Sequence, residues 1–316
     1  MVFWETVLIG NYILALIGFI ANIFYFKLVV FNKSFDVYCR IASLIIGSAT
    51  TILIVSNVVS TSICLSYGSY LNTGVCLENV YHISMIVLHS YGEFSIASGI
   101  FILIFERYAS VFFPSFRLSN SYKYWFSCLM ILFVAGLGLY LYMMNVVKSM
   151  FSVIFSTIFV SILYLISFIL VMYLFCAAKR RYYETLGIVS LTRRYLLSES
   201  FELCRSSLPA TICCLAINIS LFLSFWCLIF GIIPFIYLSE YFVLANTTLN
   251  LTATVFPILF LAGSTKIRKK IAKINPFQQF EEKVELHFEF RQLNGNRINI
   301  SQSQNEYFEQ LQISWS

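Results

Sequence analysis

Seven stretches of this chain are each long and apolar enough to cross a lipid bilayer, and no other feature restricts its fold so severely. They cover residues 7–31, 41–65, 80–105, 122–144, 151–177, 209–233 and 236–262. A spanning helix needs about 20 mostly apolar residues, because the hydrocarbon core is about 30 Å thick. Lipid offers no water to a backbone amide, so runs of this length satisfy their own hydrogen bonds as helices. The chain is 59% hydrophobic and only 11% charged, where a soluble domain carries about 25% charged residues to face water. The expected fold is an all-α membrane protein: a seven-helix bundle over residues 7–262, followed by a polar tail over 263–316. The first helix has no basic run before it, so it is expected to act as its own insertion signal.

Orientation follows from the basic residues, which collect on the cytoplasmic side of membrane proteins. Lys27, Lys33 and Arg40 flank the first loop, and Arg107, Arg117 and Lys123 flank the third. Lys179, Arg180, Arg181, Arg193, Arg194 and Arg205 crowd the connection between the fifth and sixth segments. All of these fall on one side, the tail lysines and arginines join them, and only Lys148 lies opposite. The N-terminus is therefore expected outside and the C-terminus in the cytoplasm. The N-x-S/T triplets at Asn32, Asn218, Asn246, Asn250 and Asn299 then all fall in helices or inside the cell, where none is glycosylated. The net charge of +6 reflects this asymmetry and contact with anionic lipid, with no implication of nucleic-acid binding. In the tail, Ile267, Ile271 and Ile274 alternate with lysines at helical spacing, which predicts a short basic amphipathic helix over 264–274 on the inner membrane surface.

Little in the chain suggests covalent chemistry. The nine cysteines form no C-x-x-C pair, and most lie in apolar runs where Cys packs as a small hydrophobe. Cys64 and Cys76 both lie near the outer side, where a disulfide can form, but nothing in the sequence decides it. No Asp pair, Gly-x-Ser-x-Gly or His-Glu-x-x-His occurs in the spans, so no enzyme and no cofactor is expected. Polar groups within spans are costly and mark sites by default. Glu78, His82, His89 and Glu93 share one face of the third helix, without a third and fourth metal ligand beside them, so no metal is expected. Glu93 lies 13 residues before Glu106, about 20 Å along a helix. His89 and Glu93 suit either a buried hydrogen-bond network or a ligand contact. Asn246 and Asn250 share a face of the seventh helix, with Tyr237 nearer the outside, and Trp226 suits an interfacial anchor or a pocket wall.

The sharpest local feature is Glu106-Arg107-Tyr108 at the inner end of the third segment. Alone, such a triplet fits an ordinary interfacial boundary. With seven spans and this orientation, it resembles the Asp/Glu-Arg-Tyr motif of G-protein-coupled receptors. Gly18 with Asn22, and Pro257 with Phe260, resemble further positions of that superfamily. The second helix lacks the usual Asp, the sixth has no Cys-Trp-x-Pro, and the seventh holds no Lys for a retinal Schiff base. Residues Ser190-Leu191-Thr192-Arg193-Arg194-Tyr195-Leu196-Leu197-Ser198-Glu199-Ser200 resemble a signature of the nematode serpentine chemoreceptors of the Sra superfamily, which includes classes e and ab. They depart from it at Leu196 and Ser200.

The resemblance implies a chemosensory receptor in the plasma membrane of sensory neurons, in their cilia, that detects a small odorant or tastant. It implies a heterotrimeric G protein as partner and Arg107 held by Glu106 at rest. Dimerisation is left open. From the residues themselves, Arg193, Arg194 and Glu199 are expected in a solvated connection, either as a charged cap that enforces orientation or as part of the G-protein contact. A seven-span channel or transporter is the alternative, opposed by the charge count and the lack of repeats or broken helices.

Overall fold

The computed structural model describes residues 2–32, 35–66, 80–117, 119–144, 150–184, 191–234, 238–264, 267–268, 290–291 and 297–298. Seven long helices carry the chain: α1 (Val2–Tyr25), α2 (Val37–Ser66), α3 (Val80–Phe112), α4 (Asn120–Tyr142), α5 (Met150–Glu184), α6 (Leu191–Ile229) and α7 (Leu238–Gly263). Each contains an apolar stretch of 19 to 33 residues able to cross a membrane. The fold is that of a multi-pass membrane protein. A π-helical turn, Phe26–Val30, extends α1, and a four-residue helix, Pro114–Arg117, separates α3 from α4.

Residues 1–268 form one compact unit and 269–316 another. In the second, Phe290–Arg291 pairs antiparallel with Arg297–Ile298. The predicted basic amphipathic helix lies largely outside the described residues. Of its described residues, Ile267 is buried, and its N–H donates to Ser264 Oγ.

Three helices outrun the apolar segments that predicted them by seven residues or more, among them α5, which continues to Glu184. Helix α3 continues to Phe112, so Glu106-Arg107-Tyr108 lies within the helix and not at its end. Helix α6 begins at Leu191 and takes Pro209 into its interior. The polar run before Pro209 hides the helix from a hydropathy reading. Its buried face, with Leu197, Leu203 and Cys204, holds it against the bundle. Glu199, expected in a solvated connection, is corrected to a buried position at 3% exposure.

Helix α3 is the hub and packs on α2, α4, α5 and α6. Glycine brings its backbone close to α2: a Cβ at Gly92 would meet Leu53 and the Ala49 carbonyl, and one at Gly99 would meet Ile46 at 2.6 Å. Small residues serve this purpose in membranes because lipid tails are as apolar as Leu, so close packing and hydrogen bonds drive association. Helix α4 presents its other side outward, with Ile131, Leu132, Val134 and Leu139 all largely exposed, as a lipid-facing surface requires.

Helices α1, α2 and α7 are joined by amides. Asn11 donates to Thr247 Oγ1 at 3.0 Å, Asn250 donates to the Asn11 carbonyl at 3.1 Å, and Asn57 donates to the Asn246 carbonyl at 2.6 Å. Nearer the Arg107 end, Thr50 donates to Asn22 Oδ1 at 2.6 Å, and Thr254 donates to the Leu14 carbonyl at 3.1 Å. Gly18 sits at the crossing, where a Cβ would lie 2.5 Å from Thr254 Oγ1 and 2.8 Å from Ile54. Gly18→Val is therefore expected to destabilise the bundle by about 1–3 kcal/mol, the usual cost of overpacking. A thermal-unfolding midpoint in detergent no lower than that of the parent would show that the crossing has slack.

Candidate functional site

A cluster of five charged side chains, drawn from α3, α6, the start of α2 and the Pro114–Arg117 helix, closes one end of the bundle. Consecutive residues of a helix point about 100° apart, and because α3 is surrounded, both Glu106 and Arg107 point inward. Glu106 is fully buried and Arg107 is 1% exposed. Arg107 Nε pairs with Glu106 Oε2, and its Nη1 lies 3.5 Å from Glu199 Oε1 on α6. Arg117 Nε donates to the second Glu106 oxygen at 3.1 Å, while its Nη2 reaches Asp36 Oδ2 at 2.9 Å. Asp36 in turn donates its backbone N–H to Glu199 Oε1 at 3.1 Å and accepts from Tyr38 N–H at 3.0 Å, which caps the start of α2.

This arrangement obeys the rule that buried charge must be paired. Three carboxylates face two guanidiniums, and each carboxylate is held from more than one side. Arg107 Nη1 and Nη2 and Arg117 Nη2 are buried without a hydrogen-bond partner among the described residues, and of these Arg107 Nη2 alone also lacks an ion-pair contact there. An unsatisfied donor of this kind on a fully charged side chain is a group ready for an acceptor. Tyr108 points away from the cluster and packs on Phe105 and Phe112, the latter at 4.6 Å between centroids. Arg181 of α5 finishes this flank: it stacks over Phe112 at 4.3 Å and donates to the Val111 carbonyl at 2.8 Å. That bond satisfies one of the carbonyls a helix end leaves open.

The remaining sequence candidates fall elsewhere. Glu93 accepts a 3.1 Å hydrogen bond from Tyr140 of α4. His89, one turn before it on α3, has a buried Nε2 with no hydrogen-bond partner among the described residues. Asn250 is buried and bonded to α1, and Asn246 gives its carbonyl to Asn57, so both belong to the α1–α2–α7 network. Trp226 is half-buried and stacks on Phe230 at 5.3 Å. Tyr237, Cys76 and the side chains of Cys64, Arg193 and Arg194 lie outside the described residues, so the proposed Cys64–Cys76 bridge does too. No group of three metal-ligating side chains occurs among the described residues.

Asp36, Arg117 and the buried role of Glu199 escaped the sequence reading. A signal existed for Glu199: Leu197, Ser200, Leu203 and Cys204 place an inward face at helical spacing around it. Asp36 and Arg117 carry no comparable signal, because Asp36 sits in a short loop and Arg117 ends a four-residue helix, too short for a periodic face.

Compared with known proteins, the chain matches no family model, and no curated protein is significantly similar to it.

Proposed function

We propose that this protein is a G-protein-coupled chemosensory receptor of the plasma membrane, with its N-terminus outside and its Arg107 end in the cytoplasm. The observation that carries this reading is the burial of Arg107 between Glu106 on its own helix and Glu199 on α6. An arginine held between two helices by a movable carboxylate is a two-state element: release of Glu199 frees the guanidinium and opens that end of the bundle. A ligand that binds the open state more tightly shifts the population towards it. The freed Nη groups then meet acceptors on the G protein, with Arg193 and Arg194 as further contacts. The ligand is a small molecule bound in the opposite half, where Glu93 and His89 offer polar groups within an apolar, aromatic bundle. The relation to the Sra superfamily rests on the motif residues alone.

Two measurements test the proposal. In glycosylation mapping, an acceptor site placed between Ser66 and Asn79 is expected to be modified, and one between Arg181 and Arg193 is not. Modification of the second alone would invert the protein, remove the receptor reading and leave a channel as the better one. In the second measurement, purified Glu199→Ala protein in lipid nanodiscs is expected to raise nucleotide exchange on a panel of G proteins several-fold over the parent without ligand. Silence across the panel would sink the reading.

A further inference from the structure

Arg40, in the first turn of α2, stands apart from the other enclosed arginines at this end of the bundle. Arg107 and Arg117 pair with carboxylates, while Arg181 donates to the Val111 carbonyl and lies over Phe112. Arg40 is half-buried and its Nε is fully enclosed, yet no hydrogen bond or ion pair reaches its side chain among the described residues. A guanidinium is always charged, and enclosing it without an acceptor is costly. Asp36, four residues earlier, is the partner that helical spacing would offer. Its Oδ2 instead takes Arg117 Nη2 at 2.9 Å and the Tyr38 N–H at 3.0 Å.

The packing of α1 on α2 shows where the side chain lies. The helices run antiparallel in one register: a Cβ on Gly18 would meet Ile54, Thr50 donates to Asn22, and a Cβ on Gly47 would meet Phe26. Arg40 lies seven residues before Gly47, about two turns, and so shares its face. The same register sets Arg40 opposite Asn32, just past the π-helical turn. There the chain caps its own carbonyls: Phe26 O accepts from the Phe31 N–H at 2.9 Å, and Leu28 O from Asn32 Nδ2 at 3.1 Å. Lys27, Phe31, Val37 and Leu44 are exposed around this corner. Val37 begins the apolar span of α2, so Arg40 lies where headgroups meet hydrocarbon.

An unmatched guanidinium flanked by outward apolar side chains fits an amphiphile with an anionic head, and anionic phospholipid collects at the cytoplasmic leaflet. We propose that Arg40 anchors a phospholipid site: the corner between the π-helical turn and α2 holds one anionic lipid, with its phosphate on the guanidinium and its chains over Phe31, Val37 and Leu44. Arginine suits the task because its planar fork donates two parallel hydrogen bonds to a phosphate. The leaflet that supplies the lipid rests on the orientation proposed above, whereas the site itself needs only the membrane span.

The test reads lipid on the purified full chain by native mass spectrometry, released from detergent carrying dioleoylphosphatidylglycerol or dioleoylphosphatidylcholine. The parent is expected to retain one phosphatidylglycerol and to favour it over phosphatidylcholine. Arg40→Gln should weaken that retention about tenfold, the usual scale for one hydrogen-bonded charge. Lys123→Gln removes an exposed charge from α4 at the same end and should leave retention unchanged. Equal losses in the two variants would show a diffuse surface potential and overturn the site, as would equal retention of the two lipids by the parent. Arg40→Lys keeps the charge, loses the fork and serves if the glutamine variant does not fold. It is expected to bind several-fold more weakly, and parent-like binding would overturn the guanidinium contact. Displacement of the lipid by inorganic phosphate alone would reveal a free-anion site and overturn the lipid as occupant. Nucleotide exchange is measured separately: a chain that holds the lipid but is silent with every G protein removes the receptor reading and leaves the site standing.

Discussion

Arg107→Leu is expected to cost the bundle about 3–5 kcal/mol, the usual penalty for leaving a buried charge without its partner. Glu106 retains Arg117 at 3.1 Å, so the carboxylate stranded by the change is Glu199. It is 3% exposed and, among the described residues, keeps the Asp36 N–H as its remaining donor. The double variant Arg107→Leu/Glu199→Leu removes both charges and is expected to recover most of the loss, since buried ion pairs replaced by apolar groups are often neutral or better. Under the proposed receptor function it should nonetheless remain silent in nucleotide exchange, because that proposal makes the Arg107 guanidinium the donor to the G protein. This pair separates structure from function. Equal unfolding midpoints for the parent and Arg107→Leu would mean that water reaches the cluster. Exchange in the double variant would mean that Arg107 is not the coupling group.

The seven spans were legible because hydropathy reports where lipid is, and lipid leaves few alternatives to a helix. What hydropathy reports less well is where a helix ends beyond the lipid. Helix α3 runs on from Phe105 to Phe112, and α6 starts at Leu191, because both continue as protein-packed helices carrying charges. Arg107 was legible as a motif and Glu106 as its neighbour. Glu199 was read as solvated because charge in a polar run ordinarily means water. Its burial depends on Arg107 and Asp36, which lie far away in sequence, and only the fold brings them together. The same limit applies to Asn250: its place on the inward face was legible, but its partner Asn11, 239 residues away, was not.

Arg117 provides the second large effect, and the order of two costs decides its role. Its two ion pairs are unequal. Asp36 retains 27% of its side-chain exposure, so water already competes for that carboxylate, and pairs of this kind are worth about 0–1 kcal/mol. Glu106 is fully buried and shares its charge between Arg117 and Arg107. Arg117→Ala is therefore expected to cost about 2–4 kcal/mol, mostly through Glu106. Asp36→Asn keeps an oxygen to cap α2 through the Tyr38 N–H and removes only the charge, so it should cost about 0.5 kcal/mol. Asp36→Ala removes the cap as well and should cost about 1 kcal/mol more. Arg117→Lys should recover little of the Arg117→Ala loss, since a single ammonium cannot span two carboxylates as the planar guanidinium does. Chemical unfolding of the four variants in detergent measures the series. If Asp36→Asn proved as costly as Arg117→Ala, the Asp36 pair would dominate, and Arg117 would act to fasten the start of α2. If the predicted order holds, Arg117 fixes the Glu106 carboxylate in place against Arg107, and the resting arginine is held by a charge that is itself held in place.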